Sequence, residues 1–263
     1  GALASRDLVQ PWSCSPRSQS PDSGLREVAS PRFAPMSPPK RLGGYEVLEQ
    51  IGRGAFGAVY RGRQPATGRE VALKVLGQVK GEGPRLRFAR EGAALARLNH
   101  PSIVAIHAAE WEGDHPHIAL ELVDGQDLEQ HLERGGPLGA EAARDLLIPL
   151  AEAVAHAHSK GVLHRDIKPS NVVLTAEGRL MLLDFGLASL ADTERLTLSG
   201  QMLGTPSYMA PEQARGKWDE RTDVYGLGAL LYAALTGEPP SEGGTLAECL
   251  IQVMSGPTPD PCR

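Results

Sequence analysis

The sequence predicts an α+β protein of two lobes, an antiparallel β-sheet with one helix followed by a mainly helical part. Three observations carry that prediction. Between Tyr45 and Val123, short apolar and β-branched runs alternate with turn signals and are interrupted by a single helical stretch. After Asp124-Gly125 the pattern turns helical. Residues able to handle phosphate and metal gather in that second part, in the run His164-Arg165-Asp166-Ile167-Lys168-Pro169-Ser170-Asn171 and at Asp184-Phe185-Gly186.

Each element follows from its own residues. Positions 45–51, 58–64 and 70–76 read as strands, with Pro65-Ala66-Thr67-Gly68 turning the second into the third. Positions 84–98 read as a helix whose apolar stripe is Leu86, Ala89, Ala93, Ala94 and Leu98. Two further strands, 103–111 and 117–123, flank a Glu-Gly-Asp-His turn. Positions 140–160 form one long helix, in which Pro149 is expected to kink or strain the backbone. A short strand pair, 172–175 and 180–185, is joined through Ala176-Glu177-Gly178. Residues 1–44 hold seven prolines and eight serines without apolar periodicity, and are expected to be disordered. The domain therefore begins at residue 45, with a first lobe to residue 123 and a second over residues 124–263.

Composition narrows the function. The 263 residues are 41% hydrophobic, enough for a sizeable core. A net charge of −5 gives no basic footprint for nucleic acid. Cys14, Cys249 and Cys262 are scattered, with neither metal spacing nor a disulfide framework, which fits a reducing compartment. No apolar run approaches the ~18 residues of a membrane span. A cytoplasmic chain is expected, with an anchor beyond Arg263 left open.

The chemistry is carried by a few groups. Ile51 leads into Gly52-Arg53-Gly54-Ala55-Phe56-Gly57-Ala58-Val59, whose glycines let backbone amides approach phosphates. A strand follows these glycines where a dinucleotide fold needs a helix, so a covering hairpin is favoured. Lys74 in Val71-Ala72-Leu73-Lys74 is either a solvated edge lysine or a cation for phosphates, with Glu91 on the following helix as its obvious partner. Asp166 can orient a hydroxyl and accept its proton. Lys168 can stabilise charge on a transferring phosphoryl group. Asn171 and Asp184 offer hard oxygen ligands of the kind Mg²⁺ takes alongside phosphate oxygens. His156, His158 and His164 read as packing residues, His164 beneath Phe185. Trp111 and Trp218 also read as packing.

With these motifs in order, the chain resembles the catalytic domain of protein kinases, most closely the bacterial eukaryotic-like serine/threonine kinases. Gly204-Thr205-Pro206-Ser207-Tyr208-Met209-Ala210-Pro211-Glu212 and Asp223-Val224-Tyr225-Gly226 extend the resemblance. It implies a bilobal kinase-like fold that transfers the γ-phosphate of ATP, with Mg²⁺, to serine or threonine of protein substrates. By that resemblance Asp166 is the catalytic aspartate, Lys168 contacts the γ-phosphate, and Asn171 and Asp184 hold Mg²⁺. Lys74 and Glu91 pair in the active state. Glu121 and Val123 belong to the hinge that reads adenine, behind Leu120. Asp127 falls at the ribose, and Val59, Ala72 and Val173 enclose the ring. Arg165 before Asp166 points to control by activation-loop phosphorylation, with Thr197 and Ser199 the favoured sites and a dimer serving phosphorylation in trans.

The sequence also departs from the family. Gly92 beside Glu91 is expected to loosen the helix by roughly 1 kcal/mol. Ser241 stands where an aromatic residue is usual. The helical lobe reads as truncated, without the arginine that pairs with the position of Glu212, which predicts an apolar patch left uncovered on the 223–235 helix. A nucleotide-binding pseudokinase or scaffold is the alternative from another class. A small-molecule kinase is a third reading, disfavoured by the 204–212 motif.

Overall fold

The computed structural model describes residues 40–54, 57–76, 82–112, 115–185, 206–243, 245–256 and 259–261. Residues 38–263 form one compact unit. Its first part is a six-stranded antiparallel sheet: β1 (Arg41–Leu42), β2 (Tyr45–Gly54), β3 (Gly57–Arg63), β4 (Glu70–Leu76), β5 (Ile106–Glu112) and β6 (His115–Glu121), in the order β1-β2-β3-β4-β6-β5. A single helix, α1 (Glu82–Leu95), packs on it. The helical part holds α2 (Leu128–Gly135), α3 (Ala140–Ser159), α4 (Glu220–Thr236) and α5 (Leu246–Ser255). Between them lies a small sheet of β7 (Gly125–Asp127), β8 (Val172–Thr175) and β9 (Leu180–Leu182). No described helix is long and apolar enough to cross a membrane.

The structure corrects several boundaries. Residues 40–44 are not disordered: Arg41 and Leu42 pair with Glu46 and Tyr45, and Leu42 is fully buried. Disorder over residues 1–39 concerns a stretch outside the described residues. β2 runs three residues past the expected end, because Gly52 and Gly54 stay in register with Val59 and Gly57. Register shifts at Val47/Glu49 and Gln50/Gly52 bend that strand over the sheet. Gly57, at φ 147°, comes so close to β4 that a Cβ would sit 1.9 Å from the Val75 carbonyl oxygen. The residues expected as strand between 103 and 105 instead form a strap. Ile103 bridges Leu182 in parallel, Leu182 N donates to Ser102 O at 2.9 Å, and Val104 N donates to Leu182 O at 3.2 Å.

The stripe expected over 84–98 holds only at its end, where Leu98 is buried and Ala94 packs against the core. Leu86 is 65% exposed, while Phe88, Gly92 and Leu95 face the sheet. Phe88 meets Trp111 edge-on at 5.6 Å, so Trp111 packs as expected. Gly92 is a close-approach residue: a Cβ there would lie 2.5 Å from Ala109 Cβ. Pro149 sits inside an uninterrupted α3. The backbone bond it forgoes is offset by a buried face of Leu146, Leu150, Ala153, Val154 and Ala157.

Helix α4 is started by Asp219, whose carboxylate accepts from Arg221 N, with Thr222 Oγ1 closing a capping box. It buries Gly226, Ala229, Leu230, Ala233 and Ala234. The α3–α4 groove lined by Leu147, Ile148, Ala151, Leu231 and Leu235 is apolar, and Ile148 is half exposed. α5 packs on the 3-10 turn Pro206–Tyr208, and Ser241, where an aromatic residue was expected, is itself buried.

Gly92→Ala tests the packing of α1. Overpacking against Ala109 costs about 1–3 kcal/mol and exceeds the roughly 1 kcal/mol gained in helix propensity. Thermal denaturation should show a Tm lower by about 2–6 °C. An equal or higher Tm would mean that the glycine is a propensity defect with room around it.

Candidate active site

The catalytic-type run lies between the end of α3 and β8, and side chains from elsewhere hold its shape. Asp223 in the first turn of α4 is 2% exposed. Its Oδ2 accepts His164 N at 2.8 Å and its Oδ1 accepts Arg165 N at 2.7 Å. His158 Nε2 lies 2.8 Å from Oδ2 as well. A buried carboxylate is expensive unless its lone pairs are filled, and here they are. Arg165 itself takes φ 70°, a left-handed conformation that costs a side-chain-bearing residue roughly 1–2 kcal/mol. Those fixed amides counter that cost. The Arg165 guanidinium stands 5.9 Å from the Trp218 ring centre, within cation–π reach, and its buried Nε has no hydrogen-bond partner among the described residues.

His164 is fully buried and stacks edge-on to Phe185 at 4.6 Å, as the sequence suggested. Burial pushes its pKa down against the opposing charge of Asp223. The neutral ring uses both nitrogens: Nε2–H donates to Leu183 O at 2.7 Å, and Nδ1 accepts Asp166 N at 3.2 Å. One imidazole thus ties the residue before Asp184 to the backbone of Asp166.

The side chains that follow converge. Lys168 Nζ is 2.8 Å from Asp166 Oδ2. Asn171, in the 3-10 turn Pro169–Asn171, donates Nδ2–H to Asp166 O at 2.6 Å and to Asp166 Oδ2 at 3.2 Å. With the amide nitrogen committed, its Oδ1 has no hydrogen-bond donor among the described residues. Leu183 N donates to Asn171 O at 2.8 Å, which sets the approach to Asp184 beside the turn. Asp184 also has a positive φ, 63°. From the other lobe, Lys74 on β4 reaches it: Nζ to Oδ2 is 2.6 Å, and the lysine is 7% exposed. Lys74 is therefore a buried, paired cation and not a solvated edge lysine.

The remaining expected residues fall around this centre. Ile51, Gly52, Arg53 and Gly54 end β2, while Gly57, Ala58 and Val59 begin β3. Ala55 and Phe56 lie outside the described residues. Val59 pairs with Lys74, and Ala72 with Leu120. Glu91 is half-buried on α1. Glu121 closes β6, its N–H donating to Ala105 O at 2.8 Å, and Val123 follows in a half-buried linker. Val173 on β8 is buried opposite Asp127. Asp127 also caps α2, accepting Gln130 N at 2.8 Å and Gln130 Nε2 at 2.7 Å. Thr197, Ser199 and Thr205 lie outside the described residues.

Three residues that hold this site were not placed in it by sequence reasoning. Asp223 was noted only as part of a motif, His158 was read as packing, and Gln213 was not singled out. The one available signal was an acid at a helix start followed by apolar residues. Glu212 accepts Thr222 Oγ1 at 3.2 Å.

Comparison with known proteins shows the family. A family model of the protein kinase domain matches residues 45–256. The serine/threonine-protein kinase PkaA of Streptomyces coelicolor is 42% identical over 228 residues, 80% of this chain and 42% of that protein. The DNA damage-responsive serine/threonine-protein kinase RqkA of Deinococcus radiodurans is 41% identical, over 86% of this chain and 35% of that one. PknB of Mycobacterium leprae is 38% identical, over 85% and 37%. The chain thus spans well under half the length of these relatives. The crystal structure of Rad53 1-466 in complex with AMP-PNP aligns with a TM-score of 0.67 at 29% identity, covering 80% of this chain and 53% of that one. The chain belongs to the protein kinase family.

Proposed function

We propose that this chain transfers the γ-phosphoryl group of ATP to serine or threonine hydroxyls of protein substrates. The observation that carries the reading is the convergence of Asp166, Lys168 and Asn171 with an ion pair drawn from both lobes, the buried Lys74 on the half-buried Asp184.

The donor set fits Mg²⁺. Asn171 Oδ1 and the Asp184 carboxylate are hard oxygens, and Mg²⁺ takes one or two of these and completes its shell with water and phosphate. When bound there, Mg²⁺ supplies positive charge against the phosphate oxygens. Everything else falls to the chain. The β2–β3 hairpin offers backbone amides to the phosphates, and Lys74, desolvated by its neighbours, adds a fixed charge. Asp166 orients the substrate hydroxyl and takes its proton as the hydroxyl oxygen bonds to phosphorus. The bond to the bridging oxygen breaks, and ADP leaves. Lys168 beside Asp166 faces the charge on the transferring group. Adenine contacts are assigned to Glu121 and Val123 backbone groups, with Val59, Ala72 and Val173 around the ring and Asp127 toward the ribose.

In the active state Glu91 is assigned to Lys74. The buried Arg165 Nε, without a partner among the described residues, supports a role for Arg165 in meeting an anion, the phosphate on Thr197 or Ser199. A phosphorylated loop would then be made in trans by a second copy.

Three measurements test this reading. Asp166→Asn should lower kcat by about 10²–10⁴ while ATP still binds; a kcat within a few-fold of wild type removes Asp166 from the role. Lys74→Met should cut kcat/KM for ATP by about 10–100-fold, the worth of a charge-assisted contact, and an unchanged value would return Lys74 to a structural part. Mass spectrometry after incubation with Mg-ATP should find phosphate on Thr197 or Ser199 in wild type and none in Asp166→Asn. Nucleotide binding without any phosphate transfer would leave a binding protein.

A further inference from the structure

Gln213 stands outside the converging cluster, yet its side chain joins two parts of it. It opens the 3-10 turn Gln213–Arg215 and is half-buried. Its Oε1 accepts Ala210 N at 2.8 Å, and its Nε2 donates to Arg165 O at 2.9 Å. A backbone N–H on one side and a carbonyl on the other fix which way the amide points. The first bond holds the end of the 206–210 segment. The second holds the peptide that links Arg165 to Asp166. Arg165 is left-handed, and its N–H is already bound by Asp223 Oδ1 at 2.7 Å. Both polar backbone groups of this residue are therefore held by side chains that lie later in the chain. No apolar side chain can do this, and neither can a carboxylate, which has no donor for the carbonyl.

We propose that Gln213 is a positioning residue for Asp166. It holds the Arg165 carbonyl so that the 206–210 segment and the catalytic loop behave as one body. It touches no reacting atom. The inference rests on the role given to Asp166 above.

The test compares wild type, Asp166→Asn, Gln213→Glu and Gln213→Met, each with its active fraction counted by ATP binding. Gln213→Glu keeps the length and the acceptor for Ala210 N–H but sets an oxygen against the Arg165 carbonyl. Two reactions are followed: transfer to a generic serine/threonine peptide, and hydrolysis of ATP without peptide. Gln213→Glu should lower kcat of both by about tenfold, the worth of one buried hydrogen bond replaced by a repulsion, with KM for ATP within about twofold. Gln213→Met should lower both kcat values in the same direction. A rise in peptide KM with ATP hydrolysis unchanged would confine Gln213 to the substrate side and overturn the inference.

A second background guards against a merely structural effect. Asparagine tolerates the left-handed conformation better than arginine. In Arg165→Asn the penalty of Gln213→Glu should shrink to less than about threefold, because neighbours acting through one peptide are not additive. Equal penalties in both backgrounds overturn the proposal. A Gln213→Glu enzyme that matches an active wild type overturns it alone. A wild type no faster than Asp166→Asn overturns the proposed function and this inference with it.

Discussion

The Asp223 carboxylate is the point on which the geometry of the site turns. It is buried at the start of α4, far along the chain from the loop it organises, and it fills its lone pairs with two consecutive backbone amides and the His158 ring. A buried charge met by three donors is stable where the same charge with one donor missing would be costly. The amides it takes are those of His164 and Arg165, immediately before Asp166. A helix in the core of the second lobe thus fixes the backbone from which the proposed catalytic side chain projects.

From that anchor the order spreads to the first lobe by short polar links and not by a continuous apolar core alone. His164 passes it to Leu183 through its Nε2–H, and Asn171 O passes it to Leu183 N. Two residues before Asp184, Leu182 is bonded on both sides of the 102–104 strap that leads into β5. Lys74 then spans to Asp184. A displacement of β9 would therefore be felt by the strap, by the imidazole and by the lysine together. This is why these contacts are better regarded as one network than as separate pairs.

The parts of this arrangement that the sequence made legible are those written as contiguous strings. The glycine hairpin, Lys74 on its strand, the 164–171 run and Asp184 could be read because local spacing reports the chemistry of neighbours along a chain. The two-lobed plan followed from the change of periodicity after Gly125. What escaped was non-local or carried no hydrophobic signal. The buried face of α1 runs through Gly92, which a hydrophobic stripe skips, so the stripe holds at Ala94 and Leu98 and fails at Leu86. The same glycine looked like a defect because propensity knows nothing of Ala109 on a facing strand. β2 was ended too early for a like reason: glycines weaken a strand on any propensity scale, and only their partners Val59 and Gly57 reveal that the pairing continues. Asp127 was weighed for a ligand before its capping of α2 could be seen, and Gln213 has no local pattern at all.

Two described residues other than glycine have positive φ, and they are Arg165 and Asp184. Glycine would take either conformation at lower cost, and asparagine would at 165, so conformational ease does not explain an arginine there. Each position instead needs a side chain that a less strained residue cannot supply, a guanidinium at 165 and a carboxylate at 184. The strain is held in place by groups with no part in any reacting bond: Asp223 and Gln213 around Arg165, and His164 and Asn171 bonded to Leu183 just before Asp184. Removing one holder should therefore release backbone strain and displace the adjacent functional side chain in the same step. Stability and activity are then expected to fall together for mutations of the holders, while mutations of Asp166 or Lys168, which hold no strained peptide, should separate the two.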